Sequence, residues 1–329
     1  MTDTSSTAAP ARMMRRVYGL NVVCDLDLPE LYPAEDSAEP DIVIREGDVP
    51  PPTADDPLNV STFVDGEPGR LWLDFPDRLR MTISDGRSII YTRYPGVAED
   101  EMRLFLLGSG LGAILMQRGH VVVHGNAVSV DGSDRAIMCI GDTGAGKSTT
   151  AIAMLQRGHA MLADDVCPIG ADGRVLPGMP RAKLWLDTAQ RLGIDTSELA
   201  RVREADPKFN LPIGDDQCRK PQAIGAFFWL VPEDVAQVQV RQLNGVEKFA
   251  VLRNNIYRPE YLLPLELEVL YLKRVAAIAQ DTPLFRVSRP TAGFDIDALI
   301  DALLATFGTI PGTDPAGRDA DRETMRATP

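Results

Sequence analysis

A glycine-rich loop between an apolar run and a helical segment constrains this chain more than any other feature. Residues 141–148 read GDTGAGKS and satisfy every fixed position of the phosphate-binding pattern G-x-x-x-x-G-K-[ST]. The apolar residues 136–140 before the loop are typical of a buried strand, and residues 149–155 after it are typical of a helix start. In that order, backbone N–H groups and the positive end of the helix dipole converge on an anion. The loop therefore predicts a site for the phosphates of a nucleotide.

The residue types within the loop predict how ATP and Mg²⁺ would bind. Lys147 can reach the terminal phosphates, and the hydroxyl of Ser148 can be a ligand of Mg²⁺. An ordinary glycine-rich turn is the alternative interpretation. The predicted nucleotide-binding residues are Gly141, Asp142, Thr143, Gly144, Ala145, Gly146, Lys147, Ser148 and Thr149.

Two adjacent aspartates follow the loop at short range. Asp164 and Asp165 end an apolar run that begins at residue 160, and Asp164 lies 17 positions after Lys147. One helix and a tight turn at 157–159 fill that gap, so we expect the run to be the next strand, with the carboxylates at its end. Because side chains alternate on a strand, one carboxylate would bind Mg²⁺ while the other turns elsewhere and accepts a proton as a general base. A turn cap after a core strand is the alternative.

These segments together resemble the catalytic domain of HPr serine kinase/phosphorylase. The chain has HGNAV at 124–128, then the phosphate loop, then RGHAMLADD at 157–165, which is the order found in that family. The similarity is close over residues 120–170 and looser as far as 187. It implies an α/β fold like that of phosphoenolpyruvate carboxykinase, with a P-loop kinase core and a mixed sheet around the nucleotide loop. It also implies transfer of a phosphate from ATP to a serine hydroxyl.

The resemblance implies specific roles for three residues. Asp164 would be the catalytic base, Asp165 would hold the magnesium ion together with the loop residue Ser148, and His124 would lie beside the phosphates. From its local sequence alone, His124 is equally well a structural histidine at a strand end.

The chain also departs from that family. Thr149 stands where the bacterial enzymes usually have Glu, and no E-x-R-G-x-G run follows residue 170. The N-terminal part is more similar to HPr-kinase-like proteins of ribosomal peptide maturation, including lasso peptide pathways. This likeness implies a serine-bearing precursor peptide as the substrate. The alternative phosphate acceptors are HPr or another regulatory protein, and the hydroxyl of a small molecule. The alternative function is that of a nucleotide sensor without catalytic activity.

Composition excludes several classes of partner. The formal net charge of the 329 residues is −13, which disfavours nucleic acid and anionic membranes as partners.

Neither the three histidines nor the four cysteines have the spacing of a structural metal site, and reduced cysteines fit a cytoplasmic protein. The apolar run 104–116 is too short to span a membrane and predicts a buried helix under the kinase sheet. Residues 1–12 do not resemble a signal peptide. A second copy of this chain, in a homo-oligomer, is another partner that the sequence allows.

Turn residues and periodicity divide the chain into regions. We expect residues 1–14 to be disordered, 15–97 to be β-rich, 98–310 to form the kinase domain with a leading helix at 98–118, and 311–329 to be a flexible tail. Strands are predicted at 69–75 and 79–83, a loop at 47–57, paired strands at 225–231 and 238–243, and helices at 262–280 and 294–307.

Five cations are candidates for additional phosphate contacts, because a cation stabilises the charge that develops during phosphoryl transfer. Each of them is otherwise an ordinary solvated side chain. Arg181 and Lys183 are preferred because they follow the proline-rich turn after the acidic run. The full set is Arg181, Lys183, Lys208, Arg219 and Lys220.

Overall fold

The computed structural model describes residues 13–35, 38–51, 63–203, 206–293 and 295–311. These residues form a mixed α/β structure, which confirms the predicted fold class at that level. Most of the predicted disordered segment 1–14, part of the predicted loop 47–57 and nearly all of the predicted tail 311–329 lie outside the described residues.

The N-terminal region forms one mixed sheet of eight strands. They are β1 (Arg15–Val17), β2 (Leu20–Cys24), β3 (Tyr32–Pro33), β4 (Ile42–Glu46), β5 (Phe63–Glu67), β6 (Arg70–Phe75), β7 (Leu79–Ser84) and β8 (Ser88–Arg93). Their order across the sheet is β3-β1-β2-β4-β8-β7-β6-β5. Buried and partly exposed residues alternate along β7, as the sequence predicts for a strand with one face in the core. The two strands predicted in this region are β6 and β7.

The rest of the chain contributes nine strands. They are β9 (Val121–Ser129), β10 (Arg135–Ile140), β11 (Ala160–Ile169), β12 (Arg174–Val175), β13 (Arg181–Trp185), β14 (Lys208–Pro212), β15 (Gln222–Glu233), β16 (Gln239–Leu243) and β17 (Leu284–Pro290). β10 lies between antiparallel β9 and parallel β15, and β11 pairs with the other edge of β9. β15 continues to parallel β17 and then to antiparallel β16, while the short β12 joins β11 to β15. β13 and β14 form a separate antiparallel pair.

Seven α-helices accompany these strands in the described part of the chain. They are α1 (Glu99–Phe105), α2 (Leu111–Gln117), α3 (Lys147–Gln156), α4 (Leu186–Arg191), α5 (Gly245–Asn254), α6 (Glu268–Asp281) and α7 (Ile296–Gly308). The predicted helix 98–118 is helical from Glu99 to Gln117, with a π-helical turn at Leu106–Gly110 between α1 and α2. No helix of the described residues is long and apolar enough to cross a membrane.

The helical segment α1–α2 is packed between the two large sheets. α2 contacts β7 of the first sheet and β9 of the second. A Cβ on Gly110 would lie 3.0 Å from Ile89 and 3.4 Å from Met81, so the helix backbone closely approaches the first sheet. One hydrophobic cluster therefore includes side chains from both sheets and from the helix between them. A second cluster lies on the opposite face of the second sheet, beneath α3 and α7.

Two predictions about the C-terminal part are wrong in detail. The predicted strands 225–231 and 238–243 exist as β15 and β16, but they do not pair, because β17 hydrogen-bonds to both of them. The helix predicted at 262–280 begins at Glu268, since Glu266 has a φ of +55°, which is incompatible with a continuous helix. The helix predicted at 294–307 is α7.

Candidate active site

The 141–148 loop connects β10 to α3, so the predicted order of strand, loop and helix is present. Gly141, Gly144 and Gly146 have φ values of +137°, +82° and +100°, which glycine adopts readily. At Gly141 a Cβ would also lie 2.6 Å from the carbonyl oxygen of Leu230. The N-cap of α3 is Gly146, and no side chain caps the N–H groups of its first turn. Such a helix start suits an anion.

The side chain of Lys147 folds back over the loop. Its Nζ donates to the carbonyl oxygens of Gly141 at 2.7 Å and Asp142 at 3.1 Å. Burial lowers the pKa of this ammonium group, and the nearby carboxylates, Asp165 first among them, oppose that shift. The lysine is therefore placed in the loop with carbonyl groups as its partners.

Two residues far along the chain hold the loop in shape. Arg289 on β17 donates from Nε to the oxygen of Ala145 at 2.7 Å and from Nη2 to the oxygen of Gly144 at 3.1 Å. The N–H of Gly141 donates to Oδ1 of Asn255 at 2.9 Å, just after α5. Sequence reasoning missed both residues, because no local pattern links positions more than a hundred residues apart.

The acidic pair lies in the middle of β11 and not at its end, which corrects the sequence prediction. β11 pairs with β9 from Ala160 to Ile169, so the strand continues beyond the two carboxylates. His124 likewise lies within β9, although the sequence suggested the end of a strand. The long pairing of these two strands places His124 and both aspartates close together.

The two carboxylates do not point to opposite faces, as simple alternation would require. Asp165 has a φ of +68°, a left-handed conformation that interrupts the regular strand. Asp164 and Asp165 both line the same cavity as a result. The expectation that one would turn away is therefore wrong.

Asp164 is buried and accepts two hydrogen bonds. Its Oδ1 accepts from Nδ2 of Asn126, and its Oδ2 accepts from the main-chain N–H of Lys183 at 2.7 Å. Burial, together with the charge of Asp165, raises the pKa of this carboxyl group to about 6. Asp164 therefore changes protonation close to neutral pH.

Asp165 has the opposite electrostatic character. Burial disfavours its charge, but the ammonium of Lys183, 2.5 Å from Oδ2, outweighs burial and holds the pKa of the carboxyl well below its usual range. His124 Nδ1 lies 3.3 Å from both Oδ1 and the main-chain oxygen of Asp165. Burial lowers the pKa of His124, which favours the neutral imidazole. Asp165 is thus held ionised, whereas Asp164 gains or loses its proton near pH 6.

Three adjoining cavities surround these groups. The loop cavity, of about 460 Å³, contains the first turn of α3 and both aspartates. The middle cavity, of about 540 Å³, shares His124, Thr143, Asp165, Trp185 and Lys208 with it. The far cavity, of about 610 Å³, shares Leu104 and Val202 with the middle one.

The structure brings most of the predicted site residues together. The loop cavity is lined by His124, Thr143, Gly144, Gly146, Lys147, Ser148, Thr149, Asp164 and Asp165. Gly141 and Asp142 line the middle cavity. Ala145 lines none of the three cavities and is buried, with its carbonyl oxygen on Arg289.

The five candidate cations separate into two groups. Lys183 lines the middle cavity and Lys208 lines both the loop and the middle cavities, whereas Arg181 lines the far cavity. Arg219 stacks over Tyr32 with 4.6 Å between guanidinium carbon and ring centroid, and neither it nor Lys220 lines any of the three cavities. Arg219, Lys220 and Arg181 thus lie outside the loop cavity, and phosphate contacts by these three residues stay a prediction. Sequence reasoning also gave no role to Asn126 or Trp185.

The residues of the loop cavity fit Mg²⁺ together with a nucleotide. Asp165 is held ionised, and Ser148 lines the same cavity. Within the described residues, no group of three or more His, Cys, Asp or Glu side chains forms a metal site. Mg²⁺ usually takes one or two carboxylates and completes its shell with substrate phosphates and water, so a sparse ligand set suits it.

No protein-family model and no curated protein matches this chain. Among solved structures, the HPr(Ser) kinase/phosphatase from Coxiella burnetii is similar over 62% of this chain and 97% of its own chain, with 14% identity and a TM-score of 0.28. A likeness at this TM-score carries no argument about function, which is inferred from the geometry of the site.

Proposed function

We propose that this chain is a kinase that transfers the γ-phosphate of ATP, with Mg²⁺, to a serine hydroxyl of a peptide or protein. One observation carries the proposal. Thr143, Gly144 and residues 146–148 of the loop line a single cavity together with two aspartates of divergent pKa, and that cavity adjoins a second one at Asp165. Divergent pKa values within a pair of carboxylates are typical of a division between acid–base work and charge stabilisation.

The loop residues supply the binding of the phosphates. The N–H groups of the first turn of α3, beginning at Lys147, point to the position of an anion. Lys147 would exchange its two carbonyl partners for phosphate oxygens, since its Nζ already lies inside the loop. Ser148 and Asp165 would hold the magnesium ion, whose charge offsets that of the phosphates when it is bound.

The acidic pair supplies the proton chemistry. Asp164, with a pKa raised to about 6, is mostly ionised at neutral pH yet basic enough to accept a proton from an approaching hydroxyl. The hydroxyl oxygen forms a bond to the γ-phosphorus while the bond from that phosphorus to the oxygen of the departing ADP breaks. The hydroxyl proton moves to Asp164. Lys183 and Lys208 lie beside the carboxylates and would stabilise charge on the transferred group.

The extent of the cavities favours a polypeptide acceptor. The middle cavity has about 540 Å³ and adjoins the far cavity of about 610 Å³, so the two together offer more space than a small hydroxyl metabolite needs. Within this class, the finer candidate is a serine of a ribosomal precursor peptide of the lasso type. That candidate is supported by the sequence resemblance.

The test is phosphate transfer from labelled ATP to serine-containing peptides, with mass spectrometry to locate the added phosphate. Lasso-type precursor peptides and HPr would be included among the acceptors. We expect a phosphoserine with wild type and a rate at least a hundredfold lower with Lys147→Ala. Lys220→Ala is the matched control, because Lys220 lies outside the three cavities. Equal transfer by wild type and Lys147→Ala would refute the proposal.

A further inference from the structure

The far cavity is the largest of the three and has no role in the chemistry proposed above. It lies between α1, the 198–202 segment and the pair β13–β14. Leu104 and Val202 line both this cavity and the middle one, so the two cavities adjoin each other. The middle cavity in turn shares Asp165 with the loop cavity, so it lies between the far cavity and the place where the acceptor hydroxyl would react.

The far cavity has a mixed lining whose exposed surface is mostly apolar. Seven of its fourteen lining residues are apolar, among them Leu104, Leu199 and Val202, and six are charged, among them Asp100, Glu198 and Arg201. Pockets of this kind hold an apolar side chain and orient it with a few polar groups. A volume of about 610 Å³ accommodates more than one side chain.

Two polar atoms in the cavity wall have no hydrogen-bond partner among the described residues. They are Oε2 of Glu30 and Nε of Arg181, and both are shielded from solvent. Glu30 uses its other oxygen to accept from Arg103 at 2.9 Å, while Arg181 uses Nη1 to donate to Asn210 at 2.8 Å. Buried polar atoms without partners are costly, and these two belong to side chains that line the far cavity. A peptide group offers the matching N–H and C=O.

We propose that the far cavity is a docking site for the acceptor polypeptide, which binds an apolar residue a few positions from the phosphorylated serine. The inference rests on the proposed kinase function and specifies its substrate as an extended peptide segment. An extended chain advances about 3.3 Å per residue, so neighbouring cavities are occupied by residues only a few positions apart.

The experiment uses a series of serine-centred peptides in a Gly/Ala background, each with one leucine at a different position. Phosphate transfer from labelled ATP is measured with the full chain. We expect kcat/KM to rise at least tenfold when leucine occupies one or two adjacent positions on one side of the serine, mainly through a lower KM. Ala200→Trp places a large side chain in the far cavity from an exposed position, and it should abolish this preference.

Ala276→Trp is the matched control, since Ala276 is also exposed but lies on α6, outside the three cavities. It should retain the leucine preference. Leu199→Asn is a second variant, which makes the lining of the far cavity more polar. Calorimetry of Mg²⁺-dependent ATP binding checks that each variant is folded.

The outcomes separate the two proposals. A wild-type enzyme with no positional preference, or an Ala200→Trp variant that keeps it, overturns the docking site while the kinase function stands. A wild-type chain that binds Mg²⁺ and ATP but phosphorylates no peptide of the series, no precursor peptide and no protein overturns both.

Discussion

Lys183 contacts the two aspartates with different groups. Its ammonium lies 2.5 Å from Oδ2 of Asp165, whereas its main-chain N–H donates to Oδ2 of Asp164 at 2.7 Å. The full charge of Lys183 therefore acts at closest range on Asp165, while the buried neighbour Asp164 receives a neutral donor. This arrangement keeps one carboxylate ionised and leaves the pKa of the other at about 6.

The pair formed by Lys183 and Asp165 should stabilise the fold measurably. Lys183→Met leaves a poorly solvated carboxylate without its partner, and we expect the free energy of unfolding at pH 7 to fall by about 3 kcal/mol. The double variant with Asp165→Asn should recover part of this loss. Urea denaturation of the four proteins in a double-mutant cycle measures the coupling. Lys220→Met should change stability by less than about 0.5 kcal/mol.

The same cycle has a defined pH dependence. Because the pKa of Asp165 is lowered in the folded state, its contribution to stability is present above the ordinary value of 3.8 and is lost as the pH falls below it. The difference in the free energy of unfolding between wild type and Lys183→Met should therefore become smaller as the pH falls below 3.8. A difference that stays constant from pH 7 down to pH 3 would contradict the pairing.

The rate of phosphate transfer should fall as the pH decreases through about 6. Protonated Asp164 cannot accept the hydroxyl proton, and its pKa in this structure is raised to about 6. Asp164→Asn should remove this acidic limb and lower kcat by about a hundredfold or more. Initial rates between pH 4.5 and 8 at saturating ATP measure both effects. An acidic limb that persists in Asp164→Asn would assign the titration to another group.

Asn126 should act as a positioning residue for Asp164. Its Nδ2 donates to Oδ1 of Asp164, and a hydrogen bond to the ionised form lowers a pKa. Asn126→Leu has a similar shape but no donor, so we expect the acidic limb of the rate profile to move upward by about one pH unit. The same series of initial rates provides the measurement. A lower kcat with an unmoved limb would indicate a purely structural role.

Arg289 should contribute to nucleotide binding by shaping the 141–148 loop. Arg289→Met removes the donors that hold the carbonyl oxygens of Gly144 and Ala145, and we expect the Kd for Mg²⁺–ATP to rise about tenfold, or about 1.4 kcal/mol. Isothermal titration calorimetry measures the change. Arg241→Met is the matched control, because Arg241 lies on neighbouring β16 and pairs with Glu247 on the surface. Equal affinities in the two variants would exclude this role.

The local part of the site could be predicted from the sequence because its signals are local. The loop, α3 and β11 follow one another within about 30 residues, and each has its own pattern of glycine, apolar and acidic residues. For that reason the sequence predicts the 141–148 loop and the strand that contains Asp164 at the positions where the structure has them.

The rest depends on contacts between distant segments. The position of Asp165 within β11 is set by pairing with β9, and β17 enters between β15 and β16 from much later in the chain. Arg289 reaches the loop from 144 residues away, and nothing in its neighbourhood distinguishes it from a surface arginine. Strand order and long-range side-chain contacts are tertiary choices, which single-sequence periodicity does not encode.

The position of α1–α2 between the two sheets has a practical consequence for protein engineering. A shortened chain that starts near residue 98 would lose β7 and β8, whose Met81 and Ile89 cover Gly110 and its neighbours. The uncovered apolar face would favour aggregation. Expression of residues 98–329 by themselves should therefore yield insoluble material, whereas removal of the first dozen residues leaves this contact intact.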